Sequence, residues 1–141
     1  MTFPWRQESM LGKECASFKV MLVEDDDEFR RSVAGLLTSR FPSIAIGEAG
    51  DGAEAMTKVE NFLPQLIFMD IKLPGQSGLD LTKRIKKLHP HMNVVILTSY
   101  DFPEYREAAR ASGAYRFLSK GSSRAEEIWD LVEGLWAKCT T

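Results

Sequence analysis

The sequence predicts an α/β fold, a doubly wound (βα)5 arrangement in which helices cover both faces of a five-stranded parallel sheet. Two observations predict it. Five short apolar runs, Val20–Val23, Ile44–Ile46, Leu66–Met69, Val94–Leu97 and Tyr115–Leu118, are rich in Val, Ile, Leu and Phe and lack polar alternation. Strands buried on both faces look like this. Amphipathic stretches separate the runs across short connections, the rhythm of parallel βαβ units.

Each helix has its own signal. After the first run, Phe29, Val33, Leu36 and Leu37 fall on one helical face. The second helix is weaker, carried by Ala53, Met56, Val59 and Glu60, with Asp51 placed to cap it. The third has Leu79, Leu81, Ile85 and Leu88 behind a Ser77–Asp80 capping box. The fourth, from Pro103 to Ala111, is Ala-rich and faintly periodic, with Asp101 expected as its cap. The last has a stripe of Ile128, Leu131, Val132, Leu135 and Trp136 behind Ser123 and Glu126, a second expected box.

Composition sets outer bounds. At 141 residues the chain fits one domain, able to bury roughly two-thirds of its unfolded surface. Hydrophobic residues at 44% and charged residues at 27% are ordinary for a globular protein. A net charge of −2 argues against a dedicated nucleic-acid surface. No apolar run approaches a membrane span, and the first 18 residues lack the pattern of a secretory signal. Cys15 and Cys139 have no CxxC partner, which speaks against a disulfide scaffold and for a reducing cytoplasm. Residues 1–17 fall outside the strand–helix rhythm and read as a loosely held extension of the domain at 18–141.

Chemistry collects at the strand ends. In an open parallel sheet, ligands bind beyond the C-terminal strand ends, where strand order reverses. There the chain places Glu24 to Glu28 after the first strand, Asp70 after the third, Thr98 after the fourth and Lys120 after the fifth. Glu24, Asp25 and Asp70 would crowd like charges that need an offset. A divalent cation with Lys120 as a fixed positive partner supplies it, and Mg²⁺ suits carboxylates, a backbone carbonyl and water. Asp26, Asp27 and Glu28 read instead as acidic first-turn residues favouring the helix dipole, and for Glu24 and Asp25 taken alone that plainer reading stands level with the metal one. Taken singly, Thr98 also reads as a buried hydroxyl bonded to backbone, and Lys120 as a snorkelling lysine.

The segments "KVMLVEDDDEFRR", "LIFMDIKLPGQSGLDL", "VVILTSYD" and "YRFLSKGSS" closely resemble the receiver (CheY-like) domain of two-component response regulators, over about Phe18 to Lys138. The resemblance implies a flavodoxin-like sheet of strand order 2-1-3-4-5. It implies that Asp70 accepts a phosphoryl group from a sensor histidine kinase or phosphotransfer protein. Asp25, Asp70 and the Lys72 carbonyl would ligate Mg²⁺, with Glu24 acting through water. Thr98 and Lys120 would bind phosphoryl oxygens, and Phe117 would be the switch aromatic, against its plainer reading as a core residue. Lys72 and Tyr100 would tune acyl-phosphate hydrolysis, Lys72 by pairing with Glu24 or by shielding the phosphoryl group. The surface of the fourth helix, fifth strand and fifth helix would signal to an output partner or form a homodimer. The domain itself would touch neither nucleic acid nor membrane.

Two departures stand out. Gly121 follows Lys120 where many members have Pro, which removes the expectation of a cis bond there. "SKGSS" is similar to members carrying a LuxR/NarL-type helix-turn-helix output domain, and the sequence leaves open whether this is a stand-alone receiver or a truncated regulator. Three rivals share some features. A haloacid dehalogenase-type phosphohydrolase would need a second Asp where Lys72 stands. A nucleotide-binding module would need a Gly-rich turn after the first strand. A receiver-like module that is never phosphorylated would not need all the acceptor residues. His89 and His91 lack an evident third metal ligand and read as loop residues. Trp129 and Trp136 read as helix packing for at least one of the two, with a partner surface the alternative.

Overall fold

In the computed structural model, residues 17–139 are described; Cys15 and the expected extension, apart from Ser17, lie outside them. Strands β1 (Lys19–Val23), β2 (Ala45–Ala49), β3 (Leu66–Met69), β4 (Asn93–Thr98) and β5 (Arg116–Ser119) form one sheet of order β2-β1-β3-β4-β5. Every pairing in it is parallel. Helices α1 (Asp27–Arg40), α2 (Gly52–Phe62), α3 (Gly78–Leu88), α4 (Pro103–Ala111) and α5 (Ala125–Cys139) fill the crossovers and close the chain.

Alternation along each buried strand divides the core in two. Val20, Leu22, Leu66, Phe68, Val95 and Leu97 face α1 and α5, meeting Val33, Leu37, Ile128 and Val132. Met21, Val23, Ile67, Met69, Val94 and Ile96 face α2, α3 and α4, meeting Val59, Leu81, Ile85 and Ala109. Both faces are covered, so no position in β3 is free to be polar, and the burial of all four residues explains the unbroken apolar run. Trp129 and Trp136 both pack here: Trp129 donates from Nε1 to the Leu36 carbonyl at 3.1 Å, and the Trp136 ring stacks on Phe18 at 5.3 Å.

The second strand runs farther than its apolar residues announce. Its C-terminal half is Gly47, Glu48 and Ala49. It lies at the sheet edge, where one side is unpaired and polar residues are tolerated. Gly47 leaves room for the Phe62 ring, which a Cβ would meet at 3.0 Å.

Helix caps follow expectation in part. Asp51 accepts from Glu54 N–H at 2.8 Å and Ser77 from Leu79 N–H at 3.1 Å. Asp101 is not the α4 cap: Phe102 holds that position with no side-chain bond, Pro103 begins the helix, and Asp101 pairs with Arg106 instead. At α5 the reciprocal contact falls on Arg124 N–H and Glu127 Oε1, at 2.9 Å, one residue beyond the expected pair. Cys139 is disulfide-bonded, which corrects the expectation against a disulfide.

Between β3 and α3 the chain turns through a two-residue hairpin, Lys72–Leu73 against Gln76–Ser77, with Gly75 at φ 80°. Gly78 then brings α3 against the end of β3. A Cβ there would stand 1.8 Å from the Asp70 carbonyl oxygen and 2.8 Å from its carbon. Those are backbone atoms, which cannot swing aside. Gly78→Ala is expected to lower stability by about 3 kcal/mol in urea unfolding, the upper range for overpacking. Gly35→Ala, at an exposed site in α1 with nothing within 4 Å, is expected to raise stability by about 1 kcal/mol.

Candidate functional site

Three polar residues prolong the parallel ladders by one bond each. Glu24 N–H donates to the Ala49 carbonyl at 3.0 Å, Asp70 N–H to Val23 at 3.0 Å and Lys120 N–H to Thr98 at 2.8 Å. Each side chain therefore starts from a backbone that the sheet holds still. Glu24 and Asp70 are buried, at 6% and 5% exposure, and Asp25 is exposed.

The side chains converge. Glu24, Asp25 and Asp70 each offer a carboxylate oxygen within 4.8 Å of the others. Lys120 Nζ lies 2.6 Å from Glu24 Oε1 and 3.2 Å from Asp70 Oδ2, and 4.3 Å from the centre of the Phe29 ring. Backbone donors hold the other two oxygens: Asp26 N–H to Glu24 Oε2 at 3.0 Å, and Ile71 N–H to Asp70 Oδ1 at 2.8 Å.

One ammonium serves two buried carboxylates, and the charge balance shows it. Burial raises the Glu24 carboxyl above its usual value; the Lys120 and Asp26 bonds pull it down, and the nearby Asp70 charge pushes it further up. Burial opposes the Lys120 ammonium, yet its bond to Glu24 and the two carboxylate charges hold it above the usual lysine value. The pocket keeps excess negative charge over hard oxygen donors, which is the donor chemistry of a Mg²⁺ site.

The other expected residues divide. Thr98 is fully buried at the end of β4, and its Oγ1 accepts from Tyr100 N–H at 3.3 Å rather than bonding Asp70. Phe117 is half-buried on β5 beside Ile96, with the Arg106 guanidinium 4.7 Å from its ring centre. Lys72 does not pair with Glu24, whose partner is Lys120. Its Nζ instead lies over the Tyr100 ring at 5.2 Å and the Tyr105 ring at 5.9 Å. Asp26 caps α1, accepting from Glu28 and Phe29 N–H, and Asp27 pairs with Arg30, so these two belong to the helix. His89 bonds Glu60 at 2.8 Å, and among the described residues the acidic trio alone has metal-ligand spacing.

Three residues at or beside the site were not singled out from the sequence. Arg30 is one of two adjacent arginines in an ordinary helical turn, Gly78 is one glycine among ten, and Tyr105 lies on a faintly periodic helix. Only the fold reveals their contacts.

Comparison with known proteins gives the class. Residues 20–133 match the response regulator receiver domain, and the chain belongs to that family. It is 34% identical over 106 residues to the transcriptional activator protein ExaE of Pseudomonas putida, covering 75% of this chain and 50% of that protein. It is 35% identical over 118 residues to the response regulator protein VraR of Staphylococcus epidermidis, covering 82% and 55%. The chain thus spans about half the length of the curated relatives it matches. Among solved structures, a LuxR-family two-component response regulator from Aurantimonas sp. is similar, with TM-score 0.78, 28% identity and 86% of each chain covered. A LuxR-family DNA-binding response regulator from Staphylococcus aureus is similar too, with TM-score 0.74, 27% identity, and 88% of this chain and 99% of that one covered. The sheet order is that of the CheY-like fold.

The charge balance makes a stability prediction. Lys120, raised when folded, contributes across neutral pH and loses that contribution only as pH climbs past the ordinary lysine value. Glu24, also raised when folded, costs stability as pH rises through its folded value. Lys120→Met leaves two buried carboxylates without their cation. In metal-free buffer it is expected to lower unfolding free energy by about 3 kcal/mol at neutral pH. The deficit should shrink as Glu24 takes up its proton at acid pH; an equal deficit at both would contradict the charge account.

Proposed function

We propose that this chain is a phosphoryl-accepting switch: Asp70 takes a phosphoryl group from a phosphohistidine of a sensor histidine kinase or phosphotransfer protein. The observation that carries this reading is the buried Asp70 carboxylate, gathered with Glu24 and Asp25 and bonded by Lys120. An Asp70 oxygen attacks phosphorus, the P–N bond breaks, and the imidazole leaves with its electron pair and is protonated. The product is an acyl phosphate. Such transfer depends on positioning and charge neutralisation more than on covalent assistance.

Each residue has a task in it. Asp25, Asp70 and the Lys72 carbonyl would hold Mg²⁺, with Glu24 acting through water. When bound, the ion neutralises charge on the phosphoryl oxygens. Lys120 pairs with a phosphoryl oxygen from a position its bonds to Glu24 and Asp70 already fix. The Thr98 hydroxyl, which accepts from Tyr100 N–H, donates its O–H to another phosphoryl oxygen, drawing the loop after β4 toward Asp70. Phe117 then shifts, and the α4–β5–α5 surface presents a new shape to an output partner, a second copy or a DNA-binding domain. The only chemistry the domain assists is its own phosphorylation and dephosphorylation.

Incubation with acetyl phosphate and Mg²⁺ tests the reading by mass spectrometry of the intact protein. One phosphoryl group is expected on the parent and none on Asp70→Asn; modification of the variant would place the acceptor elsewhere. Lys72, lying over two tyrosine rings beside the site, is assigned to slow hydrolysis. Lys72→Ala is expected to shorten the acyl-phosphate lifetime, followed as decay of the phosphorylated mass. Equal decay rates would remove Lys72 from that role.

A further inference from the structure

We propose that Arg30 is a positioning residue for the metal-binding acidic pair, acting on Asp25 through the Glu24 carbonyl. The inference rests on the receiver reading and names a residue outside the expected ligand set. All three guanidinium nitrogens of Arg30 are engaged. Nη1 donates to the Glu24 carbonyl at 2.5 Å, Nε to Glu48 Oε1 at 2.8 Å and Nη2 to Asp27 Oδ1 at 2.6 Å. The side chain is 14% exposed. The planar fork thus ties the end of β1, the start of α1 and the end of β2 into one ring.

Asp25 needs that ring more than its neighbours do. Lys120 and backbone donors fix the carboxylates of Glu24 and Asp70. Asp25 is exposed and makes no side-chain hydrogen bond or ion pair among the described residues. Its carboxylate goes where its backbone points. The peptide plane leading into Asp25 carries the Glu24 carbonyl on one side and the Asp25 N–H on the other, and it moves as a unit. The sheet holds the near end through Glu24 N–H and Ala49, and Arg30 grips the plane itself.

Arg30 can do this without repelling a cation strongly, because Asp27 and Glu48 already pair with its charge. A lysine would keep the charge and lose the three-way fork. Groups that orient metal ligands from behind commonly change metal affinity by tenfold or more when replaced.

Calorimetric titration of the full chain with Mg²⁺ tests the proposal, using the parent, Arg30→Lys, Glu48→Ala and the double variant. Metal-free thermal unfolding of each confirms that it is folded. Arg30→Lys is expected to weaken Mg²⁺ binding about tenfold, and Glu48→Ala to weaken it by a smaller factor. The double variant is expected to bind like Arg30→Lys alone, because both changes open the same ring. A merely structural role would lower the unfolding temperature and leave the affinity of the folded protein unchanged. Parent-like affinity in Arg30→Lys, or losses that multiply in the double variant, would overturn the proposal. If Arg30→Lys does not fold, parent-like affinity in Glu48→Ala overturns it and weakened binding supports it. A parent that binds no Mg²⁺ overturns the phosphoryl-acceptor reading beneath it as well, and leaves the family membership untouched.

Discussion

Everything at the site depends on three hydrogen bonds that carry the parallel ladder one residue past the apolar strands. They join Glu24 to β2, Asp70 to β1 and Lys120 to β4. A carboxylate on a loop could relax away from its like-charged neighbours. Here the backbone beneath each charge is part of the sheet, so repulsion between the carboxylates cannot separate them. The cost of holding them in a buried site stays in the native state: burial first, and the Asp70 charge to a lesser degree, raises the Glu24 carboxyl, and one lysine offsets this only in part. Strain of this kind persists when the surrounding structure over-determines the geometry. Here the surroundings are two buried core clusters, one on each face of the sheet.

The same arrangement supports the proposed switch. Thr98 ends β4, which pairs with β3 on one side and β5 on the other. Its Oγ1 accepts from the N–H of Tyr100, in its own loop, and its O–H can still donate to a strong acceptor at Asp70. The loop beyond it carries Asp101, which binds Arg106, and Arg106 in turn lies over Phe117. These contacts run from the loop after β4 to the α4–β5 surface, which supports the proposed link between the two. Exposure of Tyr100 and Phe102 next to them gives that surface aromatic character.

Most of the fold could be read from the sequence because burial on both faces removes ambiguity. β3 and β4 read as plain apolar runs, and α1, α3 and α5 as periodic stripes. The edge strand β2 was read three residues short, since one unpaired side permits Gly47 and Glu48. The cap at Asp101 was misplaced because an arginine five residues on competes for its carboxylate. At the site, the strand-end acids and Lys120 were legible because strand ends are where an α/β sheet puts its chemistry. The partners of Lys72 were not, since side-chain direction on a loop depends on the turn: the hairpin turns it toward Tyr100 and Tyr105 instead of Glu24. Arg30 and Gly78 were invisible for a related reason. Their importance lies in backbone atoms they approach, and no side-chain pattern records a carbonyl.

The most direct test of the central claim is a crystal structure of the protein with Mg²⁺ and beryllofluoride. The account predicts one ion among Glu24, Asp25 and Asp70, the fluoride adduct on Asp70, and Lys120 and Thr98 turned to it. An ion bound elsewhere, or an adduct on another carboxylate, would contradict it.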